Sequence, residues 1–267
     1  MKILFSTALA FIALQLIAQY PAVNNTAFAA GEKLTYRIYY HSALTGSVTA
    51  GKAVFEVSAE SRKISGRETH HIVVDGSTQG AFNFFYKVKD RFESFVDIES
   101  LLPLLFLRRI NEDGYIRNQD QVYDHVNRVV HFKDNLQGTQ SKIPVPAGTH
   151  DILSAIYYLR NADVFAQEEG NTVKLRYVFA DSLYTSQIRI AGYETVQTGI
   201  GKVSCIKVQP QVLTGSVFSE QYPLTVWVSN DKNRLPVMAR SEILVGSVRM
   251  ELVSWSGLKN PFSALKK

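Results

Sequence analysis

The chain has 267 residues, of which 46% are hydrophobic and 20% are charged, a balance typical of globular proteins and not of disordered or fibrous ones. The formal net charge of +5 comes from scattered Lys and Arg residues, which excludes a nucleic-acid-binding stripe and a polybasic lipid-binding block. Because Cys205 is the single cysteine, no intramolecular disulfide can form, and stability has to come from an apolar core and a hydrogen-bonded sheet.

The N-terminus has the pattern of an export leader. Lys2 precedes an apolar run at residues 3–18, and Ala27-Phe28-Ala29 fits the small-x-small rule of signal peptidase. We predict that residues 1–29 are a signal peptide, with a cut after Ala30 as the alternative, and that the product is periplasmic. The alternative interpretation is an uncleaved anchor, but the run is short for a bilayer core that needs about 20 residues. No later segment is apolar enough to span a membrane, and no linker divides residues 30–267, so we predict a single β-rich domain there.

The first half of this domain alternates between apolar and polar residues, as antiparallel strands do. The clearest example is residues 34–40, in which every second residue from Leu34 to Tyr40 is apolar or aromatic. Asp113-Gly114 predicts a tight hairpin turn. Residues 125–128 predict a further turn between two strands.

Residues 149–162 are the only window with helical periodicity, so we predict the principal helix there. Ile152, Ile156 and Leu159 share a core-facing stripe. Asp151 and Ser154 fall on the other side of the helix. Thr149 or Asp151 is predicted to cap the amides of the first turn.

Arg160 projects from the middle of the apolar stripe of this helix. In one interpretation it lies in the last turn and its head extends to the helix carbonyls at the surface. In the other it is a buried guanidinium held by a carboxylate from a neighbouring strand. The sequence leaves both interpretations open.

After the helix the strand pattern resumes without further helices. Strands are predicted at residues 173–179, 186–190, 195–198, 203–212, 224–229, 237–244 and 247–255, with a turn at 230–236. We therefore predict a mainly β fold. Its main element is a large curved antiparallel meander sheet, an open or partial barrel, with one principal amphipathic helix packed on it.

An ordered series of short motifs resembles a known family. The motifs are Gly31-Glu-Lys-Leu-Thr-Tyr36, Tyr86-Lys-Val-Lys-Asp-Arg-Phe-Glu-Ser-Phe95, Asp151-Ile-Leu-Ser-Ala-Ile-Tyr-Tyr-Leu-Arg160, Thr198-Gly-Ile-Gly-Lys-Val203, Leu224-Thr-Val-Trp-Val-Ser-Asn-Asp231, Arg234-Leu-Pro-Val237 and Gly246-Ser-Val-Arg-Met-Glu-Leu252. Together they resemble the exported bacterial proteins grouped as domain of unknown function 3108, over nearly the whole predicted mature chain. The resemblance implies a β-rich envelope protein of Gram-negative-type bacteria with no assigned reaction, and it supplies no catalytic residues.

The sequence offers little support for catalysis. Its six histidines form no His-x-His or His-x-x-x-His pair, and there is no Cys-x-x-Cys, so we predict no metal site and no cofactor. His150, Asp151 and Ser154 are the three residue types of a serine-protease triad. Adjacent residues on a helix diverge by about 100°, however, so we interpret Asp151 as a cap. By strand alternation Cys205 shares a face with Lys207 and Gln209, which predicts a solvent-facing and dispensable thiol.

The aromatic residues suggest a binding function instead. Residues 82–95 hold a cluster of Phe side chains, for which a place in the core is the default interpretation. A long meander curves, and one helix covers only part of its concave face, so an apolar groove is expected. We predict a non-catalytic binding or envelope-assembly protein whose partner is a lipid or an envelope protein. The alternatives are docking along a strand edge and a hydrolase assembled from distant residues. The candidate ligand-binding or structural residues are Arg160, Asp151, Tyr157 and Trp227.

Overall fold

The structure is a computed structural model that describes residues 21–43, 46–161, 170–211, 223–243 and 246–266. Most of the predicted leader, and residue 162 at the end of the predicted helix, lie outside these ranges. The strands before the principal helix are β1 (Lys33–Ser42), β2 (Gly46–Val57), β3 (Arg62–Ile64), β4 (Arg67–Thr78), β5 (Lys89–Asp97), β6 (Pro103–Glu112), β7 (Tyr115–Asp124), β8 (Val129–Asp134), β9 (Thr139–Pro144) and β10 (His150–Asp151).

The helices of the described ranges are α1 (Phe82–Phe85), between β4 and β5, and α2 (Ile152–Asn161), directly after β10. The remaining strands are β11 (Thr172–Phe179), β12 (Ser182–Thr198), β13 (Gly201–Pro210), β14 (Leu224–Ser229), β15 (Pro236–Glu242), β16 (Ser247–Ser256) and β17 (Leu265–Lys266). The described part of the chain is therefore mostly β, as predicted. The predicted strands at 186–190 and 195–198 belong to one long strand, β12, which continues through a bulge between Ile190 and Gly192.

The strands form one continuous sheet. From edge to edge its order is β9-β8-β7-β6-β5-β4-β2-β1-β16-β15-β14-β13-β12-β11-β10, and the short strands β3 and β17 pair with β4 and β13. All neighbours in this order are antiparallel except β10 and β11, which are parallel. Within the described ranges, β9 and β10 form no ladder with each other, so the sheet is not closed into a barrel. The predicted open antiparallel meander is confirmed.

The predicted hairpin turn joins β6 to β7. Asp113 and Gly114 have φ angles of 46° and 90°, and Glu112 pairs directly with Tyr115 across the turn. Positive φ at both central residues is the requirement of a type I′ turn, which Asp-Gly meets at little cost. The predicted turn at 125–128 likewise joins β7 to β8.

Helix α2 lies in the chain between the first half of the sheet, formed by strands β1 to β10, and the second half, formed by strands β11 to β17. It contacts β5 in the first half and β11 in the second, so the sheet has to curve around it. Leu153 and Tyr157 belong to a core cluster with Ile72 and Phe106 of the first half. Ala155 belongs to a separate cluster with strands of the second half. The helix is therefore packed on more than one side.

The aromatic cluster at 82–95 is divided between core and surface. Phe95 is buried, as the default interpretation requires, and Phe92 packs against the core. Phe84 and Phe85, on the short helix α1, are 91% and 82% exposed, so the expectation of a core position is wrong for both. Neither of the helices in the described ranges has the length and hydrophobicity to span a bilayer.

Cys205 is buried, and the prediction of a solvent-facing thiol is wrong. Strand alternation does place it opposite Ile206, but both residues have 0% exposure. The reason is that the C-terminal segment covers this part of β13: Ala264 lies in the same apolar cluster as Cys205, and the Ser204 amide donates to Ala264 O at 2.9 Å. Burial raises the pKa of the Cys205 thiol to about 12, so the thiol is not activated as a nucleophile.

Replacing Cys205 with Ser is expected to lower the free energy of unfolding by about 1–3 kcal/mol, because a hydroxyl would be buried among apolar neighbours. Urea denaturation measures this loss. In the folded wild-type protein the thiol should also fail to react with an aromatic disulfide reagent until denaturant is added. An unchanged denaturation midpoint together with rapid native labelling would contradict the buried position.

Candidate functional site

The start of α2 is fixed by Asp151, which is fully buried. Its Oδ1 accepts hydrogen bonds from the backbone amides of Leu153 (2.7 Å) and Ser154 (2.8 Å), and its own amide donates to Ser154 Oγ (3.0 Å). This reciprocal arrangement is a helix N-cap, as predicted for Asp151. Ser94 of β5 donates to Asp151 Oδ2 at 2.5 Å, which ties the helix start to the first half of the sheet.

The expectation that Asp151 and Ser154 lie on the side of the helix away from the core is wrong, since both have 0% exposure. Burial raises the pKa of Asp151 to about 6, although the hydrogen bonds from Ser94 and the two amides favour the charged form. The unfolded chain therefore releases this proton at lower pH than the folded chain does. Between about pH 4 and pH 6, Asp151 makes the protein less stable as the pH rises.

Asp151→Asn should remove this pH dependence while keeping an acceptor for the two amides and a donor toward Ser94. As the pH rises from 4 to 7, the unfolding free energy of the variant should increase by about 2–3 kcal/mol relative to that of the wild type. This amount corresponds to the rise of about two units in the pKa of Asp151. Guanidinium melts of both proteins at the two pH values measure the difference. His150, whose pKa burial lowers to about 3, acts in the opposite direction but is common to both proteins. A difference that does not change with pH would contradict the raised pKa.

The three triad-type residues do not form a hydrolytic site. His150 Nδ1 lies 3.3 Å from Ser154 Oγ, but Asp151 is directed at Ser94 and not at the imidazole. His150 and Ser154 are 2% and 0% exposed, so a substrate has no access to the hydroxyl. The hydrogen bonds of these residues stabilise the start of α2 instead. Within the described residues, no three His, Cys, Asp or Glu side chains converge in a way that could hold a metal ion.

The last turn of α2 is held by a buried ion pair. Arg160 Nη1 and Nη2 donate to Glu32 Oε1 (2.6 Å) and Oε2 (2.7 Å), a bidentate arrangement in which Arg160 is 5% exposed and Glu32 is 0% exposed. Arg160 Nε donates to Asn233 O (3.0 Å), and Nη2 also donates to Ala27 O (3.2 Å). Of the two interpretations of Arg160, the structure selects the buried guanidinium. Burial lowers the pKa of Arg160, and the charge and hydrogen bonds of Glu32 raise it by more.

An apolar cavity lies between α2 and the second half of the sheet. Its volume is about 330 Å³. The wall formed by the helix consists of Ile152, Ala155, Ile156 and Leu159, with Arg160 at one end. The opposite wall comes from successive strands of the sheet and includes Leu175, Ile188, Val208, Val226, Val228 and Met250.

The cavity is bordered by the helix stripe that was expected to face a filled core. Ile152, Ile156 and Leu159 are only partly buried, while Leu153 and Tyr157 on the neighbouring side of α2 are buried. The helix thus has one apolar side that packs against the first half of the sheet and a second that borders open space. Such an apolar concavity with few polar groups is the usual form of a small-molecule site, and its volume lies within the range of about 300–1,000 Å³.

The four candidate residues lie in different surroundings. Arg160 borders the cavity, and Asp151 forms the helix cap. Tyr157 is buried on the core side of α2, where its ring meets that of Phe28 edge-on at 4.8 Å. Trp227 lies on the face of β14 opposite Val226 and Val228, and its indole N–H donates to Glu194 at 2.6 Å. The cavity walls were not predicted residue by residue, because they come from seven strands and one helix that are distant in sequence.

The chain belongs to the family described as "Protein of unknown function (DUF3108)", which matches residues 35–253. The family resemblance inferred from the ordered motifs is confirmed. No curated protein matches the chain.

Solved structures resemble the fold at low sequence identity. A β-barrel-like protein of the domain of unknown function DUF1849 from Brucella abortus has a TM-score of 0.56 and 11% identity, over 86% of this chain and 99% of that one. A candidate lipoprotein from Parabacteroides distasonis has a TM-score of 0.36 and 12% identity, over 88% and 99% of the two chains. A candidate exported protein with a YmcC-like fold from Bacteroides fragilis has a TM-score of 0.32 and 14% identity, over 88% and 99%. The first of these likenesses supports the fold alone.

Proposed function

We propose that this chain is an exported, non-catalytic binding protein that holds an apolar, lipid-like ligand in the cavity between α2 and the second half of the sheet. The observation that carries the proposal is the stripe of Ile152, Ile156 and Leu159, which borders a space of about 330 Å³. Apolar surface left uncovered beside a packed helix lowers the stability of the free protein. A ligand that covers it gains about 0.8 kcal/mol for each buried methylene.

The lining supports an acyl chain more than a polar metabolite. Both walls consist mainly of branched aliphatic side chains, and the polar groups at the border, such as Ser186, Gln211 and Arg234, are few. A polar ligand would lose its hydration there and find few partners to replace it. The periplasm is part of the proposal, and the export pattern of Lys2 followed by an apolar run at residues 3–18 supports it.

Docking along a strand edge has less support than the cavity. The edge strand β9 is only six residues long and mostly exposed, and it carries Lys142 and Pro144. Short length, lysine and proline are the features with which proteins prevent pairing at a sheet edge. We therefore place binding in the cavity.

The proposal is tested by titrating the purified protein with a fatty acid that carries an environment-sensitive dansyl group. Fluorescence should rise to saturation at one probe per chain, and an unlabelled long-chain fatty acid should displace the probe. Saturating ligand should also raise the melting temperature, because it binds the folded state alone. A signal that rises linearly without saturation, and that unlabelled fatty acid leaves unchanged, would contradict the proposal.

A further inference from the structure

The segment that precedes β1 is built into the fold. Ala27 and Phe28 have 0% exposure and belong to the core cluster that contains Tyr157. The Phe28 ring lies edge-on to Tyr157 at 4.8 Å and to His70 at 5.2 Å, so it fills the space between α2 and β4. A buried Phe at such a position usually contributes several kcal/mol to the stability of the fold.

Hydrogen bonds fix the same segment at both of its ends. The Val23 amide donates to Glu99 O at 2.8 Å, and Asn161 Oδ1 at the end of α2 accepts from the amides of Thr26 (2.7 Å) and Ala27 (3.1 Å). Ala27 O in turn accepts from the buried guanidinium of Arg160.

The C-terminal part of the chain holds the segment as well. Lys259 Nζ donates to Asn25 O at 2.5 Å, and Asn260 Nδ2 donates to Thr26 O at 2.9 Å. Two separate parts of the fold therefore use the backbone of this segment as a partner.

We infer that residues 23–29 are retained in the exported protein, so that the leader is removed before Val23 and Ala27-Phe28-Ala29 is not the processing site. A cut after Ala29 would leave a hole in place of Phe28. It would also take away one acceptor of Arg160 and both donors to Asn161, all at the end of α2. Arg160 is buried, so the loss of one acceptor there is costly, and the half-buried Asn161 would lose both of its donors at the same time. The inference replaces our own prediction of a cut after Ala29 and is independent of the ligand proposal.

The intact mass and N-terminal sequence of the full chain, exported by a Gram-negative host, test this inference. The exported protein should lack the apolar run at residues 3–18 and begin at Val23 or between that run and Val23, and Ala29→Gln should change its mass only by the substitution itself. An exported chain that still begins at Met1, a start after Val23, or accumulation of unprocessed Ala29→Gln precursor would overturn the inference.

A second measurement uses stability and does not depend on sequencing. Phe28→Ala in the exported protein should lower the urea midpoint clearly, because Phe28 is part of the core. Phe84→Ala is the matched control, since the same change at a 91% exposed side chain should leave the midpoint unchanged. If both variants had the wild-type midpoint, Phe28 would be absent from the mature protein and the inference would fail. If Phe28→Ala prevents recovery, Phe28→Leu provides the smaller change in the same direction.

Discussion

Arg160→Ala is expected to lower the free energy of unfolding by about 3–5 kcal/mol, because it leaves the Glu32 carboxylate buried without its partner. Glu32 has no exposed surface, and both of its oxygens are occupied by the guanidinium of Arg160. Glu32→Ala should cost a similar amount, since it strands the opposite charge. Chemical denaturation of each variant measures the loss.

One further variant separates the geometry of the pair from its charge. Arg160→Lys keeps the charge but loses the planar fork that serves Glu32, Asn233 and Ala27 together, so it should recover only part of the stability. Lys33→Ala is the control for an ordinary ion pair. Lys33 lies 2.8 Å from Glu56 with about half of each side chain exposed, so solvent screens the pair and its loss should leave the denaturation midpoint close to that of the wild type. Wild-type midpoints for both Arg160 variants would mean that apolar contacts alone dock the helix.

Ile156→Trp is expected to weaken binding of the dansyl fatty acid at least tenfold, because the indole would occupy the space that the ligand needs. Ile156 lies in the helix wall of the cavity and is only partly buried, so the larger ring can enter the open volume without displacing the core. Val226→Trp makes the same test from the opposite wall. Fluorescence titration gives the affinity, and circular dichroism with a urea melt shows that each variant is folded.

Ile116→Trp is the matched control for these variants. Ile116 is 48% exposed on β7 and does not line the cavity, so the same substitution there should leave the affinity at the wild-type value. Equal affinities for all four proteins would place the probe outside the cavity. Weakened binding in every variant, including the control, would show a general effect of the added indole.

Much of the fold could be predicted because its signals are local. The Asp113-Gly114 turn depends on the φ angles of two residues, and strand alternation depends on neighbours along the chain. The helix was recognised by its periodicity, and Arg160 by its unusual angle on the helix. The N-cap followed from the chemistry of Asp151.

The rest depends on contacts between distant parts of the chain. Glu32 lies 128 residues before Arg160, and no local pattern pairs them. A helical wheel assumes one buried side, whereas α2 lies inside a curved sheet, so its supposed outer side holds the buried Asp151 and Ser154. The prediction for Cys205 was wrong for a related reason, because alternation along β13 does not reveal that Ala264 of the C-terminal segment packs in the same cluster as the thiol. The cavity is space that no single segment encloses.

Native mass spectrometry of the protein purified from its own cell envelope, without detergent or added lipid, tests the central claim most directly. The account predicts a folded chain with one bound molecule whose mass and fragments identify an acyl-containing compound. The Ile156→Trp protein, prepared in the same way, should carry it at much lower occupancy, and the Ile116→Trp protein should carry it as wild type does. If the wild-type protein is detected only at the mass of the ligand-free chain, and takes up no dansyl fatty acid in solution, the claim that the cavity is a lipid-binding site would be contradicted.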